Sequence, residues 1–199
     1  MSAAPRRNLV SVADYLASEW DSPIKREYVG GLIYLRPGER NLHNRIAGNA
    51  LGALGLPLRG NQFWPFNSDT KIRIRMPAQT RFYYPDVSVV CRPNPPHDSF
   101  QDEPAAIVEV LSRRTRRIDE GEKKDAYLTI PSLNVYLLVE QDAPLVTVFP
   151  RNETGGFARE VFDGLDAVIP LAEIEIDLPL AEIYAGVTFI PEPSDEDEG

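Results

Sequence analysis

Polar and apolar positions alternate along this chain in short blocks whose period switches between that of a helix and that of a strand. Val12, Tyr15 and Leu16 stand at helical spacing behind Ser11 and Asp14, a pair that resembles a capping box, so a short helix is predicted to run to Trp20. "KREYV" and "LIYLR" flank Gly30 and Gly31, and two glycines tolerate the positive φ of a tight turn, which predicts a hairpin with Glu27 in its first strand. Leu42, Ile46, Ala50, Leu51 and Leu54 predict a helix over 41–56, its three glycines suggesting close packing. "NQFWPF" and "TKIRIR" read as a pair of strands, the second with one wet face. His43, in the first turn of its helix, reads as a capping or packing residue.

The next blocks are the most sheet-like. "DVSVVC" and "AAIVEVL" predict two buried strands separated by a Pro-rich loop, and both should lie in one sheet. A helix is predicted from about Ile118 to Ile130, stopped by Pro131 and packed on that sheet. "NVYLLVE" and "LVTVFPR" form a further hairpin, "FAREVF" adds a strand and "LPLAEIY" a short last helix. The fold class is α/β in the broad sense, an α+β arrangement with a mixed sheet, in one domain over 1–190 followed by a disordered acidic tail over 191–199.

Two charges break the apolar pattern. Asp86 enters one buried strand and Glu109 interrupts the next, and a carboxylate among Val, Ile and Leu is costly unless paired, hydrogen-bonded or bound to a metal. A divalent cation, Mg²⁺ or Mn²⁺, accounts for both together. The backbone carbonyl of Val110 is a third candidate ligand. At 100° per residue Asp119, Lys123, Ala126, Tyr127 and Ile130 share a helix face while Lys124 points elsewhere, so Lys123 is the lysine that faces the sheet. The other reading of Lys123 is an exposed pair with Asp119 at i,i+4. Two carboxylates, a metal and a lysine are the parts that metal-assisted phosphodiester hydrolysis requires.

Charge and composition limit the partners. The formal charge of −9 argues against a general nucleic-acid coat, but five acids sit in the tail from Pro191 to Gly199, leaving 25 acids against 21 bases elsewhere. Basic groups at Lys71, Arg73, Arg75 and Arg81, and again from Arg113 to Lys124, allow a local basic surface. No apolar run approaches the roughly 20 residues that span a bilayer, and the amino terminus lacks a secretory signal. One cysteine, Cys91, forms no internal disulfide, and a cytoplasmic protein is expected.

"SPIKREYVGGLIY", "HNRIAGNALGAL", "YPDVSVVC", "IVEVLSRRTRRIDEGEKKDAYLTIPSLNVYLLVEQDAPLVTVFPR" and "LPLAEIYAGV", in that order from Leu9 to Val187, resemble the Uma-two family of restriction endonuclease-like proteins. The resemblance implies a PD-(D/E)xK nuclease core: a mixed central sheet flanked by helices, here with an added N-terminal hairpin, with Asp86 at the Pro-Asp position and Glu109 at the acidic position of the next strand. It implies a magnesium-dependent endonuclease acting on DNA, with Glu27 at an acidic position able to complete the metal shell. Three departures stand out. The superfamily's lysine, two residues after the glutamate, is replaced here by Leu111, which moves that role to Lys123; Ser112-Arg113 replaces the common Ser-Pro; and Gly30-Gly31 lacks the usual acid before the glycine. The alternative is a nuclease-fold protein that binds nucleic acid or another protein without cutting. Cutting both strands of a duplex calls for two sites, so a homodimer is expected, with Tyr136, Leu138, Val146, Val148 and Phe149 as candidates for its interface or for the core.

Overall fold

The computed structural model describes residues 9–189, so the acidic tail lies outside the described residues. Helix α1 (Val12–Trp20) starts as the capping pattern predicts, with the Ser11 hydroxyl accepting from the Asp14 N–H. Strands β1 (Arg26–Val29) and β2 (Leu32–Leu35) follow, joined at Gly30 and Gly31 with φ of 55° and 99°. Next come α2 (Asn41–Gly55), β3 (Trp64–Asn67), β4 (Lys71–Arg75), β5 (Thr80–Tyr83), β6 (Val87–Val90), β7 (Phe100–Gln101) and β8 (Pro104–Val110). A helical segment begins as α3 (Arg116–Ile118), widens into a π-helical turn over Asp119–Lys123 and closes as α4 (Lys124–Tyr127). Strands β9 (Val135–Val139), β10 (Leu145–Pro150), β11 (Glu160–Asp163), β12 (Val168–Leu171) and β13 (Ile176–Pro179) precede the last helix, α5 (Leu180–Ile183).

Two sheets face each other. A six-stranded mixed sheet has the order β11-β10-β9-β8-β6-β3, parallel only between β8 and β9, and a five-stranded sheet has the order β2-β1-β5-β4-β7. β12 and β13 pair by themselves. The strand period of two splits β8 between two cores. Val108 and Val110 join Ile46, Leu54, Ile169 and Ile183 beneath α2 and α5, whereas Ile107 and Leu111 join Tyr127, Ile130, Tyr136, Ile72 and Tyr83 in the space between the sheets. A third cluster, Tyr15, Tyr28, Phe82 and Phe100, fastens α1 to the outer face of the five-stranded sheet. Each such aliphatic or aromatic side chain contributes about 1.5–3 kcal/mol when removed from water.

The structure corrects several expectations. "NQFWPF" and "TKIRIR" are consecutive strands but not partners: β3 pairs with β6 and β4 with β5, in different sheets. A Cβ added at Gly48 or Gly52 would meet nothing within 4 Å, so those glycines mark no close approach. The helix predicted from about Ile118 to Ile130 begins at Arg116, is π-helical over Asp119–Lys123 and ends at Tyr127. Tyr136, Leu138, Val146 and Val148 are all in the core, which removes them as an interface between copies. β7, β12 and β13 had no sufficient sequence signal, being very short or broken by Pro170 and Pro179.

Candidate active site

Asp86 and Glu109 come together because β6 and β8 are antiparallel neighbours. Val87 pairs with Val108, and the register carried one residue further sets Asp86 across from Glu109. Both lie on the face turned to the five-stranded sheet, since the alternate positions Val87, Val108 and Val110 belong to the opposite core. β1 contributes Glu27, and the π-helical turn contributes Asp119 and Lys123. These residues, with Arg36 and His43, line one cavity of about 220 Å³. A π-turn inside a helix recurs at functional sites; here it turns both Asp119 and Lys123 inward, where each is buried.

Lys123 Nζ is 2.9 Å from Glu27 Oε1, 3.5 Å from Asp119 Oδ1 and 3.8 Å from Glu109 Oε1. The i,i+4 pair with Asp119 therefore exists, but inside the protein instead of on its surface. Lys124 is only half-buried, its ammonium 5.2 Å from the centre of the Phe149 ring. Glu27 Oε1 also accepts from the Tyr84 N–H at 3.2 Å, tying β1 to the chain just ahead of Asp86.

Asp86 is surrounded by donors. Its Oδ1 accepts from Arg36 Nη2 at 2.8 Å, and its Oδ2 lies 3.1 Å from His43 Nε2 and accepts from the Val110 N–H at 2.8 Å. Burial pushes the Asp86 carboxyl up, but the hydrogen bond to His43 and the Arg36 charge outweigh it, so the net shift is downward and the group is ionised. For His43, too, burial is outweighed by the bond to Asp86 and the net shift is upward, toward imidazolium.

Glu109 is in the opposite situation. It is 1% exposed, and its Oε1 has no hydrogen-bond partner among the described residues. Burial drives its carboxyl well above the ordinary glutamate range despite Lys123, with Asp119 and Asp86 pushing the same way. Asp119 is raised as well, again by burial acting against Lys123. Five acids, Glu27, Glu39, Asp86, Glu109 and Asp119, line this cavity against three permanent cations, Arg36, Arg114 and Lys123, an imbalance of two charges that one dication neutralises.

The donor set fits a divalent ion of modest protein ligation. Asp86 and Glu109 share a wall, Glu109 brings an orphaned oxygen, and Val110 belongs to the same lining. The Leu111 N–H bonds to β9, so Val110, one residue back, turns its N–H and carbonyl to the β6 side where Asp86 stands. Among the described residues no group of three or more His, Cys, Asp or Glu side chains stands placed to hold a metal ion, so the side-chain ligands on offer are the two carboxylates alone. Two carboxylates with waters and a substrate phosphate are the usual surroundings of Mg²⁺.

Sequence reasoning missed Arg36 and Asp119 as site residues and left His43 as a packing residue. The signal for Arg36 was weak, a basic residue just beyond β2; Asp119 was visible as the partner of Lys123 and was set aside because exposed i,i+4 pairs are common. The local basic surface is largely consumed by ion pairing: Arg73 holds Asp102 through two bonds of 2.6 Å, Arg81 pairs with Glu122 and Arg116 with Glu140.

The chain belongs to the Uma2 family, whose model, described as "Putative restriction endonuclease", matches residues 12–181. Two relatives from Synechocystis are each 31% identical. The uncharacterized protein slr1290 aligns over 90% of this chain and 94% of its own length, and the uncharacterized protein sll1609 over 71% and 80%. The crystal structure of "a putative nuclease belonging to DUF820" from Anabaena variabilis superposes with a TM-score of 0.69 at 17% identity, covering 90% of this chain and 99% of that one. The shared architecture is the mixed α+β, restriction endonuclease-like fold. Among the described residues no helix is long and apolar enough to cross a membrane.

Proposed function

We propose that the protein is a divalent-metal-dependent endonuclease that hydrolyses phosphodiester bonds in DNA. The observation that carries this reading is Glu109: a buried carboxylate whose Oε1 makes no hydrogen bond among the described residues, on the strand beside Asp86, lining the cavity into which Lys123 reaches. Asp86, Glu109 and the Val110 carbonyl would hold Mg²⁺ or Mn²⁺. When bound, the ion supplies Lewis-acid stabilisation of the scissile phosphate and a water of lowered pKa. Lys123, anchored by Glu27, holds its ammonium where it orients the attacking water or balances charge as it develops. Glu27 thus acts as a positioning residue. Arg36 Nη1, 4.0 Å from Glu27 Oε1, is buried without a hydrogen bond among the described residues and offers a donor to a phosphate oxygen.

The test is incubation of plasmid, single-stranded DNA and RNA with and without Mg²⁺ or Mn²⁺. Nicking or linearisation of plasmid only when metal is present, and its loss in Glu109→Gln, are expected; no cleavage of any substrate by folded protein would remove the enzyme reading. A specific observation favours a non-cutting, nucleic-acid-binding module as the second reading. Arg36 and His43 already satisfy both oxygens of Asp86, so that half of the site closes on the protein's own cations.

A further inference from the structure

A second and larger cavity, of about 850 Å³, opens beside the first. Its volume is in the range of small-molecule sites, about 300–1,000 Å³. The chain has two tryptophans, and both line it: Trp20, the last residue of α1, is 79% exposed, and Trp64, the first of β3, is 57% exposed. Large aromatic faces left in water at one opening cost hydration free energy and call for a flat apolar occupant.

The same cavity carries buried polar atoms with unused hydrogen-bonding capacity. Lys71 is 3% exposed, its ammonium 5.2 Å and 5.8 Å from the ring centres of Tyr84 and Tyr15, with the Tyr84 hydroxyl at 3.2 Å as its one hydrogen-bond partner among the described residues. Two of its three N–H groups are therefore spare. Glu19 Oε2 is buried and makes no hydrogen bond among the described residues, its one charged contact being the ion pair with Arg26 Nε at 3.5 Å, while Oε1 accepts from the Arg26 backbone N–H. A spare donor and a spare acceptor below two stacking faces complement the edge and the face of a nucleobase. Asp69 and Asp98 also line the cavity and disfavour an anion within it, which selects the neutral base over the phosphate.

Tyr84 joins this cavity to the first. Its side chain lines the second cavity, its N–H donates to Glu27, and Asp86 follows two residues later, no more than about 7 Å along the backbone. We infer that this cavity is a subsite for an unpaired base of single-stranded nucleic acid, stacked on Trp20 and Trp64 and read at its edge by Lys71 and Glu19. The base belongs to a nucleotide next to the phosphate in the metal-binding cavity. This inference rests on the nuclease reading for its biological setting, but not for its physical content.

Because both tryptophans lie here, the protein's intrinsic tryptophan emission reports on this cavity. The full chain in EDTA is titrated with a short oligothymidylate, an oligouridylate and a duplex of the same length. Saturable quenching by either single strand, stronger than by the duplex, is expected. Trp20→Ala and Trp64→Ala, both at exposed positions, should each weaken binding of labelled oligothymidylate about fivefold or more with an unchanged melting temperature. Emission unaffected by all three ligands, or binding unchanged in both variants, would overturn the subsite. Since no cleavage is measured, quenching without nuclease activity would sink the enzyme reading alone, and metal-dependent cleavage without quenching would sink the subsite alone.

Discussion

Arg36 Nη2 donates to Asp86 Oδ1 at 2.8 Å, across fifty residues of sequence, so the carboxylate offered to a metal is already held by a cation of the protein itself. Both partners are largely buried, the Arg36 side chain 14% exposed and that of Asp86 4%. Removing one member of such a pair typically costs about 3–5 kcal/mol because it strands the other charge. Arg36→Gln should therefore melt well below the wild type in EDTA, and added Mn²⁺ should raise its melting temperature by more than it raises that of the wild type. Thermal melts of the two proteins with and without metal check this; equal metal-induced shifts would mean that Arg36 and the ion do not share Asp86.

Glu109 should make the metal-free protein less stable as pH rises. Its folded pKa is raised above the ordinary value of 4.5 by burial, so folding favours the protonated form; stability is fully present below that value and is lost as pH climbs toward the folded pKa. Glu109→Gln removes the titration. Denaturant unfolding in EDTA should show the variant and wild type converging near pH 4 and the variant becoming the more stable at neutral pH. Asp86, shifted downward, contributes with the opposite sign, below its ordinary value of 3.8, and leaves the neutral range unaffected.

Tyr127 carries a fully buried hydroxyl with no hydrogen-bond partner among the described residues, in the core on which the site rests. An unsatisfied buried polar group costs about 1–3 kcal/mol. Tyr127→Phe should raise the melting temperature, and a lower one would reveal a partner for the hydroxyl.

The two lysines separate by position. Lys123→Ala should lower the cleavage rate about a hundredfold while changing metal affinity much less, because its ammonium contacts carboxylates but supplies no ligand. Lys124→Ala should leave the rate near that of the wild type. Single-turnover cleavage by each variant checks this, and equal rates would return Lys123 to a structural role.

Much of this arrangement was legible because it depends on local periodicity. The apolar runs around Asp86 and Glu109 identified two buried strands, and the helical face containing Asp119, Lys123, Ala126, Tyr127 and Ile130 is buried at all five positions. Arg36 and His43 were not legible as site residues, since their proximity to Asp86 depends on how the five-stranded sheet and α2 pack, which no local pattern records. The separation of β3 from β4 was hidden for the same reason: the three residues between them, Ser68, Asp69 and Thr70, look alike whether they close a hairpin or cross between sheets. The π-turn at Asp119 is a tertiary outcome, with the Asp119 carbonyl accepting from the buried Tyr136 hydroxyl at 3.0 Å.

In the proposed metal centre Asp86 and Glu109 hold one ion between them. Calorimetric titration of Mn²⁺ into the wild type, Asp86→Asn and Glu109→Gln tests that most directly and needs no substrate. One site per chain in the wild type, lost or weakened about tenfold or more in both variants, is the predicted result. Undiminished binding in either folded variant would contradict it.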